Sequence, residues 1–302
     1  MKPSALFIAT TLLAATCGEA VAGTPIDEKR AVDARARIDI TNVRGAVTVS
    51  AWDRPEVAIS GTLGSGSKGL AVEGGGAHLS IKVQAPESTG WFNWGSSSRM
   101  EDSILDIKVP REAELEIDVV SAEVAVAGIG GRSLEVDSVS GKVRIDGAAR
   151  DVEVDSISGS VEITGSGERV TVGTVSGEVV ARATGGVLKF ETVSGNVRVE
   201  AGAYRELDAS SVSGDISVRG RPLDGSRLDS ETMSGDVRIE LPADLSGHVE
   251  AETFSGRIRS DFGTVNEPEH GPGRSIDAKI GSGDARLRIE TFSGDVEIRR
   301  TP

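Results

Sequence analysis

Leu134-Glu135-Val136-Asp137-Ser138-Val139-Ser140-Gly141-Lys142-Val143-Arg144-Ile145-Asp146-Gly147 is the stretch whose reading decides the fold. Apolar and polar residues alternate from Leu134 to Asp137 and again from Val143 to Asp146, the period-two signature of strands buried on one face. The two alternations are out of phase, since Leu134 and Val136 are even and Val139, Val143 and Ile145 are odd. A bend near Ser138 is therefore expected if all of them are to point inward. Gly147 marks a second bend. Strand, corner, strand and turn make one short coil.

The same unit recurs along the chain. An apolar residue followed by Ser-Gly appears eight times, with glycines at Gly141, Gly159, Gly177, Gly195, Gly214, Gly235, Gly256 and Gly294. Successive serines are 18, 18, 18, 19, 21, 21 and 38 residues apart, so the last interval holds an insertion or two irregular turns. A single coil would expose its apolar residues and both backbone edges; stacking at ~4.8 Å pairs the edges and joins the apolar residues into ladders. The pattern predicts an all-β chain, a β-solenoid (single-stranded β-helix) of about ten coils. The eight glycines are read as a structural corner ladder, where glycine permits backbone conformations closed to other residues and the serine hydroxyl can bond unpaired backbone. Serine nucleophiles do not come in sets of eight.

Upstream, the strands Arg37-Ile38-Asp39-Ile40, Ala46-Val47-Thr48-Val49 and Ile104-Leu105-Asp106-Ile107 alternate in the same way with less regular spacing. Residues 23–120 are read as an N-terminal cap and irregular first coils with insertions at 64–76 and 84–103, and residues 121–302 as the regular Ser-Gly solenoid. The stretch from Gly64 to Gly76 is dense in glycine and reads as a mobile loop. The second insertion carries Trp91, Phe92 and Trp94, which would serve either as a plug over the solenoid end or as a partner-contact loop.

Residues 1–22 read as a cleaved signal peptide: Lys2 supplies positive charge, Leu6 to Ala15 is a short apolar stretch, and Ala20-Val21-Ala22 is a cleavage site. The mature chain is expected in the periplasm or outside the cell. Lipidation at Cys17 is disfavoured by Thr16 before it, and loss of this only cysteine with the signal would leave no thiol chemistry. No later segment reaches the ~18 apolar residues of a membrane helix. With 33 basic and 47 acidic residues and a net charge of −14, nucleic acid is excluded as a partner.

Ahead of each Ser-Gly lies a mostly acidic position (Asp137, Asp155, Gly173, Glu191, Ser210, Glu231, Glu252 and Glu290), and next to it a constant hydroxyl (Ser138, Ser156, Thr174, Thr192, Ser211, Thr232, Thr253 and Thr291). Rows of carboxylates can bind calcium, but Gly173 and Ser210 interrupt this one and glycine-rich calcium nonapeptides are lacking, so a solvated acidic face is the better reading. The hydroxyls read as a corner ladder of hydrogen bonds. His78, His248 and His270 have no metal-ligand spacing and read as surface residues. No catalytic residue, metal site or cofactor is assigned. The rival reading, a carbohydrate-active enzyme of the β-helix type (a polysaccharide lyase or hydrolase), would need a carboxylate pair beside exposed aromatics. The flank supplies only Tyr204, with the phenylalanines at inward or corner phases.

The repeated Val-Ser-Gly units, together with Asn42-Val43-Arg44-Gly45-Ala46-Val47-Thr48-Val49-Ser50-Ala51-Trp52-Asp53-Arg54-Pro55-Glu56-Val57, resemble the DUF4097 family of adhesin-labelled proteins from about Ile38 to Arg299. The resemblance implies a right-handed single-stranded β-helix on exported or envelope-associated bacterial proteins, and it carries no catalytic residues. The expected function is a non-enzymatic cell-envelope or extracellular binding or structural protein, its partner an envelope protein or a surface glycan.

Overall fold

A computed structural model describes residues 23–86, 100–182, 185–269 and 272–301. Trp91, Phe92, Trp94, His270, Cys17 and the signal segment lie outside the described residues. Among the described residues the regular elements are all strands, joined into one 20-stranded sheet, and no helix is long and apolar enough to cross a membrane.

Two parallel ladders build the wall. In the first, the strands Ser133–Ser140, Asp151–Ser158, Arg169–Ser176 and Gly186–Ser194 stack in register, so that Leu134 lies on Val152, Val170 and Leu188. In the second, Val143–Gly147, Val161–Gly165 and Val179–Arg182 stack so that Val143, Val161 and Val179 align. Leu134, Val136, Val143 and Ile145 point inward and are buried, and their equivalents continue the same oily column through every coil. Each such side chain removed from water contributes about 1.5–3 kcal/mol, which a lone coil could not gain.

The change of phase between the ladders falls one corner later than the sequence reading placed it. Alternation runs unbroken through Ser138, which is buried, to Val139, which faces solvent, and the inward phase resets across Gly141 and Lys142. The Val-Ser-Gly valine is therefore not a core residue. The small inward place belongs to the hydroxyl row. Thr232, Thr253 and Thr291 use it to donate to the carbonyls of Gly214, Gly294 and Gly235 in adjacent coils. Ser138, Ser156, Thr174, Thr192 and Ser211 are buried with no hydrogen-bond partner among the described residues.

The corner glycines are dictated by clearance more than by backbone freedom. Of the eight, only Gly141 has a left-handed φ, 130°. A Cβ on Gly177 would lie 1.9 Å from the carbonyl oxygen of Gly159, and one on Gly195 would lie 2.0 Å from that of Gly177. The contact is tight because each corner also pairs across coils, the Gly159 N–H donating to the Ser176 carbonyl at 3.2 Å.

At both ends, order in space departs from order in the chain. Strand Arg227 to Ser234 stacks on residues 286–293, and those stack in turn on residues 247–255. The final coil is thus inserted between its two predecessors, and Ser234 neighbours Ser293 instead of Ser255. At the other end residues 37–50 lie between residues 78–82 and 103–108 on one side and Glu114–Ala127 on the other. Antiparallel pairing then covers each end: Glu56–Leu63 lies against Ser103–Pro110 and is itself covered by residues 24–31, and Arg274–Ile280 lies against Gly247–Ser255. Such strands interrupt the parallel stacking that an open end would extend to another molecule. The glycine-dense segment expected to be a loop is a turn at 64–68 followed by the strand Gly69–Gln84.

Candidate functional site

Because the residue before each Ser-Gly points outward, stacking aligns these residues into a solvent-facing stripe. In spatial order it runs Val120, Val139, Ile157, Val175, Val193, Val212, Met233, Phe292 and Phe254, with exposures from 44% at Val139 to 62% at Met233. At ~4.8 Å per coil it is about 38 Å long. Lone exposed apolar residues are ordinary on a protein surface, but a contiguous line of them is not. The inserted final coil sets Phe292 beside Phe254, their rings stacked with centroids 4.8 Å apart and planes within 7°. Tyr204, the one aromatic expected on the flank, is instead fully buried.

Two outward positions flank each inward hydroxyl, so the first ladder carries a trough with the acidic row on one wall and the apolar stripe on the other. The trough encloses about 640 Å³ from Thr41 to Val193, lined by Asp118, Asp137, Asp155 and Glu191 facing Val120, Val139, Ile157, Val175 and Val193. Register stacks Asp118 directly on Asp137 and Asp137 on Asp155. Partial burial pushes the Asp137 carboxyl above the usual carboxylate range, and the charges of Asp155 and Glu116 push it further. Asp118 moves the same way, first through burial and then through Glu116, Asp137 and Asp39, with Lys82 opposing.

The second ladder manages its charge differently. Glu162 accepts contacts from Lys142 (3.1 Å), Arg144 (3.1 Å) and Arg182 (2.8 Å), which hold its carboxyl down at about 2. Arg198 reaches Glu178 at 2.9 Å, and Arg238 reaches Glu297 at 2.8 Å. These acids are neutralised from within the fold.

The histidines lie near opposite ends. His78 meets Asp39 at 2.6 Å; the Asp39 carboxyl, which burial would raise, is brought below its usual range by hydrogen bonds from His78 and Arg37. His248 Nε2 lies 2.6 Å from Asp277 and its Nδ1 lies 3.6 Å from Glu250, with Lys279 and Arg286 opposite it on the flanking strands. The three groups are close enough to share a cation, and Lys279 and Arg286 stand in register on either side of His248.

The eight glycines expected as a corner ladder come together as one column, in the order Gly141, Gly159, Gly177, Gly195, Gly214, Gly235, Gly294 and Gly256. The stripe beside them was missed in the sequence because an apolar residue was assumed to face inward. The signal was present, since the alternation that buries Leu134 and Val136 also buries Ser138 and turns Val139 out.

The family profile described as Toastrack DUF4097 matches residues 36–299. No curated protein matches the sequence. The crystal structure of a "putative lipid binding protein" from Parabacteroides distasonis ATCC 8503 covers 93% of this chain and 98% of its own, with 16% identity and a TM-score of 0.55, a likeness of fold. A "putative adhesin" from the same organism covers 91% and 97% at 10% identity and a TM-score of 0.40. Another, from Bacteroides fragilis NCTC 9343, covers 92% and 97% at 13% identity and a TM-score of 0.32.

Proposed function

Because the chain belongs to the Toastrack DUF4097 family, whose profile spans residues 36–299, we propose that it is a non-enzymatic binding protein of the bacterial envelope or cell exterior, and that the trough beside the Ser-Gly corners is its contact surface. The signal segment 1–22 is removed on export. Residues 23–120 serve as cap and first coils, and 121–302 as the repeat solenoid, a right-handed single-stranded β-helix of about ten coils; right-handed crossover is the usual sense for parallel strands.

One observation carries this reading: the nine-residue apolar stripe is exposed along the flank although a buried column lies one residue away in every coil. Stacking covers only about half of each stripe side chain, whereas a partner would bury the rest. Aliphatic residues along most of the stripe suit an envelope protein better than a glycan, which favours aromatic platforms. The corner glycines are occupied with clearance and interstrand bonding, and the hydroxyls of Ser138, Ser156, Thr174, Thr192 and Ser211 are buried on the inward side of the strands.

Washed envelope fractions incubated with the chain from residue 23 onward provide the test. Ile157→Asp with Val175→Asp should lower the retained fraction at least about tenfold, equivalent to about 1.4 kcal/mol, with the melting profile preserved. Undiminished retention of that double variant overturns the proposal.

A further inference from the structure

The trough's two walls are chemically unlike, and the difference specifies a partner. Among the described residues, Asp118, Asp137 and Asp155 make no hydrogen bond or ion pair, although they stack on one another. The second ladder of the same coils pairs its acids with arginines from neighbouring coils at 2.8–3.1 Å. Lys189 pairs with Glu191 at 2.8 Å at the far end of the wall, and Lys82 acts on Asp118 from beyond Thr41, but among the described residues no basic side chain lies within ion-pair distance of Asp118, Asp137 or Asp155. Like charges stacked at ~4.8 Å repel and destabilise the sheet unless something opposes them.

Resting on the reading of the trough as a contact surface, we infer that its occupant is a cationic amphipathic helix of a protein partner. The leucine-like side chains of that helix lie on the Val139, Ile157 and Val175 stripe, and its lysines or arginines lie on the Asp118, Asp137 and Asp155 wall. Strand addition does not fit, because the trough lies on the outer face of the ladder, where the backbone is already paired above and below; side-chain recognition is the mode that remains. The lengths also agree. From Thr41 to Val193 the trough crosses six stacked levels, about 24 Å at ~4.8 Å per level, which a helix of about 16 residues spans. A helical turn of about 5.4 Å drifts from the coil spacing by about 0.6 Å, so four turns stay within half a coil. An anionic lipid surface or a second copy of this chain would bring negative charge against the carboxylate wall.

The probe is a synthetic Leu/Lys peptide of about 18 residues, its leucines on one helical face, titrated by fluorescence anisotropy into the chain from residue 23 onward. The controls replace every lysine with glutamate or scramble the leucine face. The Leu/Lys helix is expected to bind at least about tenfold more tightly than the Leu/Glu helix or the scramble. Asp137→Asn with Asp155→Asn should weaken it by about three- to tenfold, as should raising salt well above physiological strength. Both substitutions relieve repulsion and so preserve folding. Glu178→Gln in the second ladder should leave binding unchanged.

Equal binding of the Leu/Glu helix, or equal losses in the Asp137/Asp155 and Glu178 variants, overturns the inference. So does self-association of the chain, or retention on phosphatidylglycerol vesicles, that is lost in Ile157→Asp. If the peptide fails while Ile157→Asp with Val175→Asp still abolishes envelope retention, the contact surface stands and the cationic helix falls.

Discussion

Glu162 in the second ladder and the Asp118, Asp137 and Asp155 row in the first meet opposite fates. In the second, Glu162 sits among Lys142, Arg144 and Arg182, drawn from the coils on either side of its own, so the repeat supplies its own counter-charges. In the first, Asp118, Asp137 and Asp155 repeat one sign at one height with no cation between them, beside a line of exposed aliphatic residues. A repeat protein copies both favourable and unfavourable contacts at every level, so an uncompensated ladder is a cost multiplied by the number of coils. Glu162 is neutralised by the fold; the Asp118, Asp137 and Asp155 row is left to be neutralised by something else.

The largest effect bears on the corner that joins the ladders. Gly177→Val places side-chain atoms where a Cβ alone would already be 1.9 Å from the Gly159 carbonyl, and should cost about 3 kcal/mol or more in denaturant unfolding. A cost under about 1 kcal/mol would mean that the coils are not stacked corner on corner. A second test separates the faces of one strand, Gly186–Ser194. Leu188→Ala, inside, should cost about 3 kcal/mol, and Val193→Ala, outside, should stay within about 0.5 kcal/mol. Comparable losses at both would return the Val-Ser-Gly valine to the core and erase the stripe.

That pair of residues also shows how far the sequence could be read. Strands, corners and stacking were legible because Leu134, Val136, Val143 and Ile145 obey a period of two and the Ser-Gly spacing of 18 to 21 residues equals one coil. The outward face was not, because hydrophobicity was allowed to override periodicity at Val139: a buried serine and an exposed valine contradict composition, and only the strand's geometry decides between them. The DUF4097 resemblance was legible from the Val-Ser-Gly units and the Trp52-Asp53 segment, and the family profile matches nearly the same span. The threaded ends were illegible. Intervals of 21 and 38 residues cannot reveal that Ser293 stacks on Ser234 and Ser255 on Ser293. The unlike treatment of charge was equally hidden, since it depends on which residues become neighbours across coils.

The smaller effects are opposite in sign and test the comparison most directly. Glu162 has a folded-state value near 2, well below that of an unfolded carboxylate. Its contribution to stability is therefore present above the unfolded value and lost as pH falls toward 2. Glu162→Gln should lower the melting temperature at neutral pH, and the deficit should vanish in acid. Asp137 is raised, by burial first and by Asp155 and Glu116 next, so the folded chain holds its proton more tightly than the unfolded one. Stability then declines as pH rises through the window between the unfolded value and the raised one, and the full penalty persists at neutral pH. Asp137→Asn removes that penalty. It should gain about 0.5 kcal/mol at neutral pH, a value kept small because the group is partly exposed, and should gain nothing at about pH 3, where the carboxyl is protonated in both states. Melting curves of the two variants across pH check both signs. If Asp137→Asn destabilised the chain at neutral pH as Glu162→Gln does, the Asp137 carboxylate would have a counter-charge of its own and its contrast with Glu162 would disappear.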